Sequence, residues 1–306
     1  MYPPSFDYYR ASSVSEALSL LADHPDATVL AGGHALIPHL KNGRADPGAV
    51  VDVSDVAALS GLEDDGEATA VGAATTYAAL LEAVDELSLE DRMPAFVGAT
   101  RAVGDRQIRN RGTVGGNLAE AHPDSDLPAA AIVADATVQI RGPDGTREVD
   151  AADFVTGPFE SAVGDEEIVT TVRIPHVDGG DVGGAYLRKT HPTSGYAMVG
   201  VATRVAVADG TISSARIATN GVTDVPVALS SVEPVLEGFD LESSDADERL
   251  TEAVADAADD LPVGERRGDV HASADYRTSV LPTYVEQAVR AAIADAGGEL
   301  EVSQDE

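Results

Sequence analysis

The chain has 306 residues, enough to bury a substantial core and, by length alone, to form two domains of ordinary size. A hydrophobic fraction of 43% excludes disorder, and aromatics at 4% with no Trp predict a core built from Ala, Val, Leu and Ile. With 53 acidic and 20 basic residues the formal net charge is −33, which excludes nucleic acid and other polyanions as partners.

In chain order, "SVSEALSLLADH" (13–24) places Glu16 three residues after Ser13, the spacing of a capping box that opens a short amphipathic helix. "ATVLAGGHALIPHL" (27–40) reads as a strand stopped by Gly32-Gly33, then a helical turn, and "AVVDVSDV" (49–56) as another strand. In "EDDGEATAVGAATTYAALLEAV" (63–84) the spacing predicts a turn at Asp65-Gly66, a strand, and a helix from about Thr76. The stretch "RNRGTVGGNLAEAHPDSD" (109–126) holds three glycines, more than a simple turn needs. Residues 128–149 predict a helix and two strands joined at Asp144-Gly145, and "EEIVTTVRIPH" (166–176) a strand ending at Pro175. "VDGGDVGG" (177–184) is the most linker-like segment. Residues 196–222 predict a hairpin turning at Asp209-Gly210, followed by Ala-rich helices at about 246–261 and 282–296.

Two readings of the charge compete: an acidic surface for a basic partner, or solubility in a high-salt cytoplasm, where screening removes self-repulsion. The acids run along the whole chain and only two lysines occur, Lys41 and Lys189, which favours a halophilic habitat over a function. The absence of cysteine excludes disulfides, a thiol nucleophile and any Cys-ligated zinc or iron–sulfur centre on this chain. The N-terminal "MYPPSFDYYR" has no secretory pattern, and no stretch approaches the ~20 apolar residues of a membrane span. The expectation is a soluble, cytoplasmic protein.

"AGGH" (31–34) and "TVGGN" (113–117) each set adjacent glycines at the end of an apolar segment. One such pair is ordinarily a turn. Two pairs, each followed by a polar or imidazole side chain, point to backbone N–H groups presented to an anionic ligand such as a phosphate. The Rossmann and Walker glycine patterns are both absent, and no G-x-S-x-G elbow occurs. His34 and His39 are five residues apart and do not share a helix face, and "HPDSD" (122–126) lacks calcium-loop spacing, so no metal site is expected. No catalytic constellation emerges.

"VLAGGHALIPHLKNG" (29–43), "QIRNRGTVGGNLAEAHPDSDLPAA" (107–130) and "HPTSGYAMVGVA" (191–202) together resemble the FAD-binding medium subunits of molybdenum hydroxylases, the xanthine dehydrogenase and aerobic carbon monoxide dehydrogenase family. The form of the first and third segments looks most like the carbon monoxide dehydrogenase branch. The resemblance covers nearly the whole chain. It implies an α+β architecture: an FAD-binding domain of the PCMH/VAO type over 1–176, with α+β subdomains at about 1–56 and 57–176. A linker at 177–184, a smaller C-terminal α+β domain at 185–300 and an acidic tail at 301–306 complete the expected organisation.

The cofactor implied is FAD, gripped at its pyrophosphate by Ala31, Gly32, Gly33, His34, Ala35 and Leu36 on one side and by Thr113, Gly115, Gly116 and Asn117 on the other. The resemblance adds Thr75 and Thr76, Asp126 toward the adenosine, Val169 beside the isoalloxazine, and Tyr196 near the ring. The family usually reads Tyr-x-Lys where this chain has Tyr186-Leu187-Arg188 and then Lys189, which leaves open whether Arg188 or Lys189 stands near the flavin. The implied partners are a molybdopterin-binding large subunit and a 2Fe-2S small subunit, in a hetero-oligomer such as a dimer of heterotrimers. An electron relay needs no nucleophile of its own. Two alternatives stay open on the sequence: a self-contained FAD-dependent reductase of the same fold, and a non-catalytic scaffold whose glycine pairs are only turns.

Overall fold

The computed structural model describes residues 2–177 and 181–300. The chain forms two compact units. One comprises Met1–Ala83, Val103–Ala121 and Ala136–Pro175; the other comprises Val84–Ala102, His122–Asp135 and His176–Glu306.

The first unit opens with β1 (Asp7–Arg10), β2 (Ala27–Leu30) and β3 (Ala49–Asp52), a parallel sheet in the order β1-β3-β2. The central strand, "AVVD", is buried along its length, as a parallel strand covered on both faces must be. The helix Val14–Asp23 lies against β3 and buries Val14, Ala17 and Leu21 in the local core. Ser13 caps that helix by accepting from the Glu16 N–H at 3.1 Å. The return half of the expected capping box is displaced by one residue: the Glu16 carboxylate takes the Ser12 N–H at 2.8 Å instead of that of Ser13.

A second sheet of the same unit is antiparallel, ordered β4-β5-β10-β6-β7. Its strands are β4 (Leu62–Asp64), β5 (Ala68–Gly72), β6 (Thr137–Gly142), β7 (Gly145–Asp150) and β10 (Ile168–Pro175). The short pair β8 (Val155–Gly157) and β9 (Glu160–Ser161) leads into β10. The helix Val114–Glu120 rests on β10, β9 and β5, turning Val114, Gly115 and Leu118 inward.

The second unit is built on an antiparallel sheet of β11 (Asp181–Thr190), β12 (Ala197–Ala208), β13 (Thr211–Asn220) and β14 (Val227–Ala228), in that order. The long helix Ala274–Asp295 packs on β11 and β12, and Val201, Val205, Ile217, Leu281, Val285 and Val289 are core residues there. The helices Pro94–Ala102 and Leu127–Val133 also pack on this sheet, so the segments 84–102 and 122–135 belong with the C-terminal strands. Chain order and compact units therefore do not coincide.

Within the expected linker 177–184, residues 181–184 are the start of β11, and 178–180 lie outside the described residues, as does the acidic tail 301–306. The glycines there serve close packing: a Cβ on Gly183 would strike the backbone of Ala292 and Ala296, and one on Gly184 would lie 2.8 Å from Pro94. The helix expected from 282 begins eight residues earlier, at Ala274, where the Ser273 hydroxyl accepts from the Tyr276 N–H. Pro282 sits inside it, which costs the helix one backbone donor without ending it. The helix expected over 246–261 ends at Ala253 and resumes only as a 3-10 turn, Ala257–Asp260.

Candidate cofactor site

The two glycine loops meet. In the first, Gly32 lies so close to Arg111 that a Cβ would collide with the Arg111 carbonyl and lie 2.9 Å from the Gly112 Cα. Gly33 follows at φ 77°, in the left-handed region that glycine enters without strain. The chain then turns into the helix Leu36–Asn42, which has no side-chain cap at Ala35. Among the described residues, the backbone N–H groups of Gly32, Gly33, His34, Ala35 and Leu36 make no hydrogen bond. Five such donors in sequence form a concavity of partial positive charge, suited to phosphate oxygens.

The second loop is differently employed. Val114 N–H donates to the Thr75 carbonyl at 3.0 Å, Gly115 N–H to the Ala73 carbonyl at 2.9 Å, and Gly116 N–H to the Thr113 hydroxyl at 3.2 Å. Its first amides are therefore spent on the fold. Gly115 itself faces Ala73, where a Cβ would lie 2.5 Å from the Ala73 Cβ. Its lack of a side chain serves packing of the helix against the strand segment, not the approach of a phosphate. Thr76 pairs with Thr113 in an isolated bridge and caps the helix Tyr77–Glu82, while Thr75 is buried and exchanges hydrogen bonds with Gly61.

A cavity of about 650 Å³ opens where the loops meet, within the range of small-molecule and cofactor sites. Ala31, Gly32, Gly33, His34, Ala35, Leu36, Thr113, Gly116 and Asn117 line it. Thr113, Gly116, Asn117 and Glu120 follow the i, i+3, i+4, i+7 pattern of one helix face, so the helix presents that face to the cavity and buries the other. Residues that sequence reasoning did not single out complete the wall: His39, Arg44, Tyr77, Glu120, Phe159 and Glu167. Phe159 is half exposed, at φ 63° on the β8–β9 turn, with the His39 ring edge-on at 6.2 Å. The Glu120 carboxyl is pushed up to about 7 by burial. No sequence signal marks these positions, because a turn tip and a helix end carry no pattern of their own.

Thr75, Thr76, Gly115 and Val169 stand outside the cavity wall. Val169 is buried in β10 beside a register shift at Thr170. The remaining expected residues belong to the second unit. There Asp126 accepts from the Tyr186 hydroxyl at 2.6 Å and from Arg188 at 3.0 and 2.8 Å. Burial pushes the Asp126 carboxyl up, opposed by Arg188 and Tyr186, and burial beside Asp126 pushes the Tyr186 hydroxyl well above its usual value. The two-residue period of β11 puts Arg188 on the same face as Tyr186 and Lys189 on the opposite one. Tyr196 stacks on His122 with ring centroids 4.8 Å apart and planes 2° from parallel. No cluster of three or more His, Asp or Glu able to hold a metal occurs among the described residues.

A glycine-walled cavity of this size with a run of open amides defines a protein that holds a phosphate-bearing cofactor. Comparison with known proteins makes the class specific. Residues 4–177 match the family described as FAD binding domain in molybdopterin dehydrogenase, and residues 187–292 match the CO dehydrogenase flavoprotein C-terminal domain. The carbon monoxide dehydrogenase medium chain of Hydrogenophaga pseudoflava is 33% identical over 295 residues, covering 95% of this chain and 98% of the relative. That of Afipia carboxidovorans is 34% identical over 297 residues, covering 97% and 99%. A crystal structure of the Cu,Mo-CO dehydrogenase superposes with a TM-score of 0.88 at 33% identity, covering 96% of this chain and 100% of that one. The chain belongs to the FAD-binding medium subunits of the molybdenum hydroxylases, an oxidoreductase family.

Proposed function

We propose that this chain is the electron-relay subunit of a cytoplasmic molybdenum hydroxylase of the carbon monoxide dehydrogenase type. In that role it receives electrons from the 2Fe-2S clusters of a small subunit, beside a molybdopterin-binding large subunit, and delivers them to an external acceptor. A dimer of heterotrimers is the assembly that fits such a set of chains. The redox chemistry is the flavin's, which accepts and releases electrons when bound.

The residues of the chain hold and shield the cofactor. The observation that carries the reading is the run of open amides from Gly32 to Leu36, set in the cavity where the two glycine loops touch. These amides, with Ala31, His34, Thr113, Gly116 and Asn117, are the proposed seat of the FAD pyrophosphate, with Thr75, Thr76 and Gly115 fixing the second loop from behind. By family resemblance the site also takes Val169, Asp126, Arg188, Lys189 and Tyr196. Arg188, on the Tyr186 face of β11, is the proposed counterpart of the family lysine in place of Lys189.

The test is direct. The full chain is expressed in molar salt, mixed with FAD and desalted into the same buffer, and its visible spectrum is recorded. The expected result is stoichiometric flavin, bleached by dithionite and unaffected by carbon substrates. A colourless protein that releases all its FAD overturns the assignment.

A further inference from the structure

Glu120 ends the helix that carries the second glycine loop, one turn beyond Gly116 on the face that lines the cavity. Its carboxyl is largely withdrawn from solvent, and among the described residues it forms no hydrogen bond or ion pair. A largely buried acid with no partner, on the wall of a cavity whose first loop offers open amides to an anion, is an electrostatic conflict: ionised, it is poorly solvated and would repel that anion. The conflict disappears if the carboxyl is neutral when the cavity is filled. We propose that Glu120 is a ligand-binding residue of this cavity: its protonated carboxyl donates a hydrogen bond to an oxygen of the phosphate-bearing ligand, and binding takes up one proton from solvent.

Burial already pushes this carboxyl to about 7, and a neighbouring phosphate would raise it further. Other charges surround it. His34, His39 and Arg44 line the cavity from the first loop and its helix, and Asp165 and Glu167 from the segment before β10. Arg147 holds Glu167 ionised and below its usual range. Of the strands under the helix, β9 carries Glu160, β10 carries Arg173, which is paired with Asp65, and β5 carries no charge. His34 and His39 are the competing source of any pH dependence.

The inference rests on the FAD reading, and one experiment separates the two. FAD affinity of the full chain is measured in molar salt by flavin fluorescence from about pH 6 to about pH 9, for the wild type and Glu120→Gln. Proton uptake is measured on the wild type at about pH 8.5, where the free carboxyl is mostly ionised, by calorimetry in buffers of different ionisation enthalpy. Expected are an affinity falling about tenfold per pH unit above about 7 in the wild type, a flat profile in Glu120→Gln, and one proton taken up on binding. Identical slopes in both proteins assign the dependence to the histidines and overturn the proposal. So does tight FAD binding without proton uptake, which needs no variant to read. Failure of the wild type to bind FAD at any pH sinks the functional reading and this inference with it.

Discussion

Arg188 grips both carboxylate oxygens of Asp126, at 3.0 and 2.8 Å, and the Tyr186 hydroxyl closes on the same carboxylate at 2.6 Å. Asp126 is 5% exposed, so this is a buried ion pair, made by one guanidinium nitrogen, whose partners depend on each other. Asp126→Ala leaves the guanidinium unpaired and should cost about 3 kcal/mol or more, read as a lower midpoint in chemical denaturation. Arg188→Lys keeps the charge but cannot serve both Asp126 and the Ala102 carbonyl, and should cost less than Arg188→Met. Equal losses for Lys and Met would show that the charge contributes nothing beyond bulk.

Gly32 and Gly115 are both glycines for reasons of contact, but with different consequences. Gly32→Ala pushes the first loop off the Arg111 carbonyl and should reduce flavin content while shifting the melting temperature little, since the loop lies at the surface of its unit. Gly115→Ala drives a methyl into Ala73 and should cost about 1–3 kcal/mol of overpacking, with or without FAD present. The comparison of melting temperatures in the absence of flavin checks this, with the exposed-helix change Glu252→Gln as the unaffected control.

The Glu120 carboxyl is a stability term as well as a binding one. It titrates at about 7 in the fold and near 4.5 when free, so the folded state binds more protons between those values. Stability contributed by the neutral form is therefore full below about pH 4.5 and lost as pH rises through about 7. Glu120→Gln should be more stable than the wild type by about 3 kcal/mol at pH 8, and nearly equal to it near pH 4.5. Denaturation curves at the two pH values decide it, and no gain at pH 8 would contradict the buried, unpaired carboxyl.

Arg277 is fully buried and donates to the Met198 carbonyl at 2.8 Å, the Gly221 carbonyl at 2.6 Å and Asp269 at 2.8 Å, tying the long helix to the sheet and to the loop before it. Arg277→Leu should cost about 3–5 kcal/mol, because it leaves the Met198 and Gly221 carbonyls unpaired and takes one of several partners from Asp269. Hydrogen exchange should show faster opening of Ala274–Asp295 in this variant.

A net charge of −33 makes self-repulsion a term in folding. The melting temperature of the full chain should rise as potassium chloride goes from 0.1 M to molar levels, where the Debye length falls to about 3 Å. A flat response would remove salt adaptation as the meaning of the charge.

What the sequence determined by itself was local and periodic. Ser13, Thr76 and Ser273 could be assigned to helix starts or left as polar residues on pattern alone, and the first two were read correctly because a hydroxyl before an apolar run has one common use. The glycine pairs were legible as places of close approach to the main chain, since adjacent residues without Cβ atoms are expensive unless the main chain must be approached. Tertiary structure alone decided which glycine does what: Gly115 packs on Ala73, Gly32 on Arg111, and the open amides belong to the first loop and not the second. It also decided that Gly183 and Gly184 are strand residues beneath a helix, that Arg277 is buried, and that Glu120 and Phe159 reach the cavity. Each of these depends on atoms about forty or more positions away, or on a neighbouring turn with no periodicity, and contacts at such separations leave no trace in the order of residues along one chain.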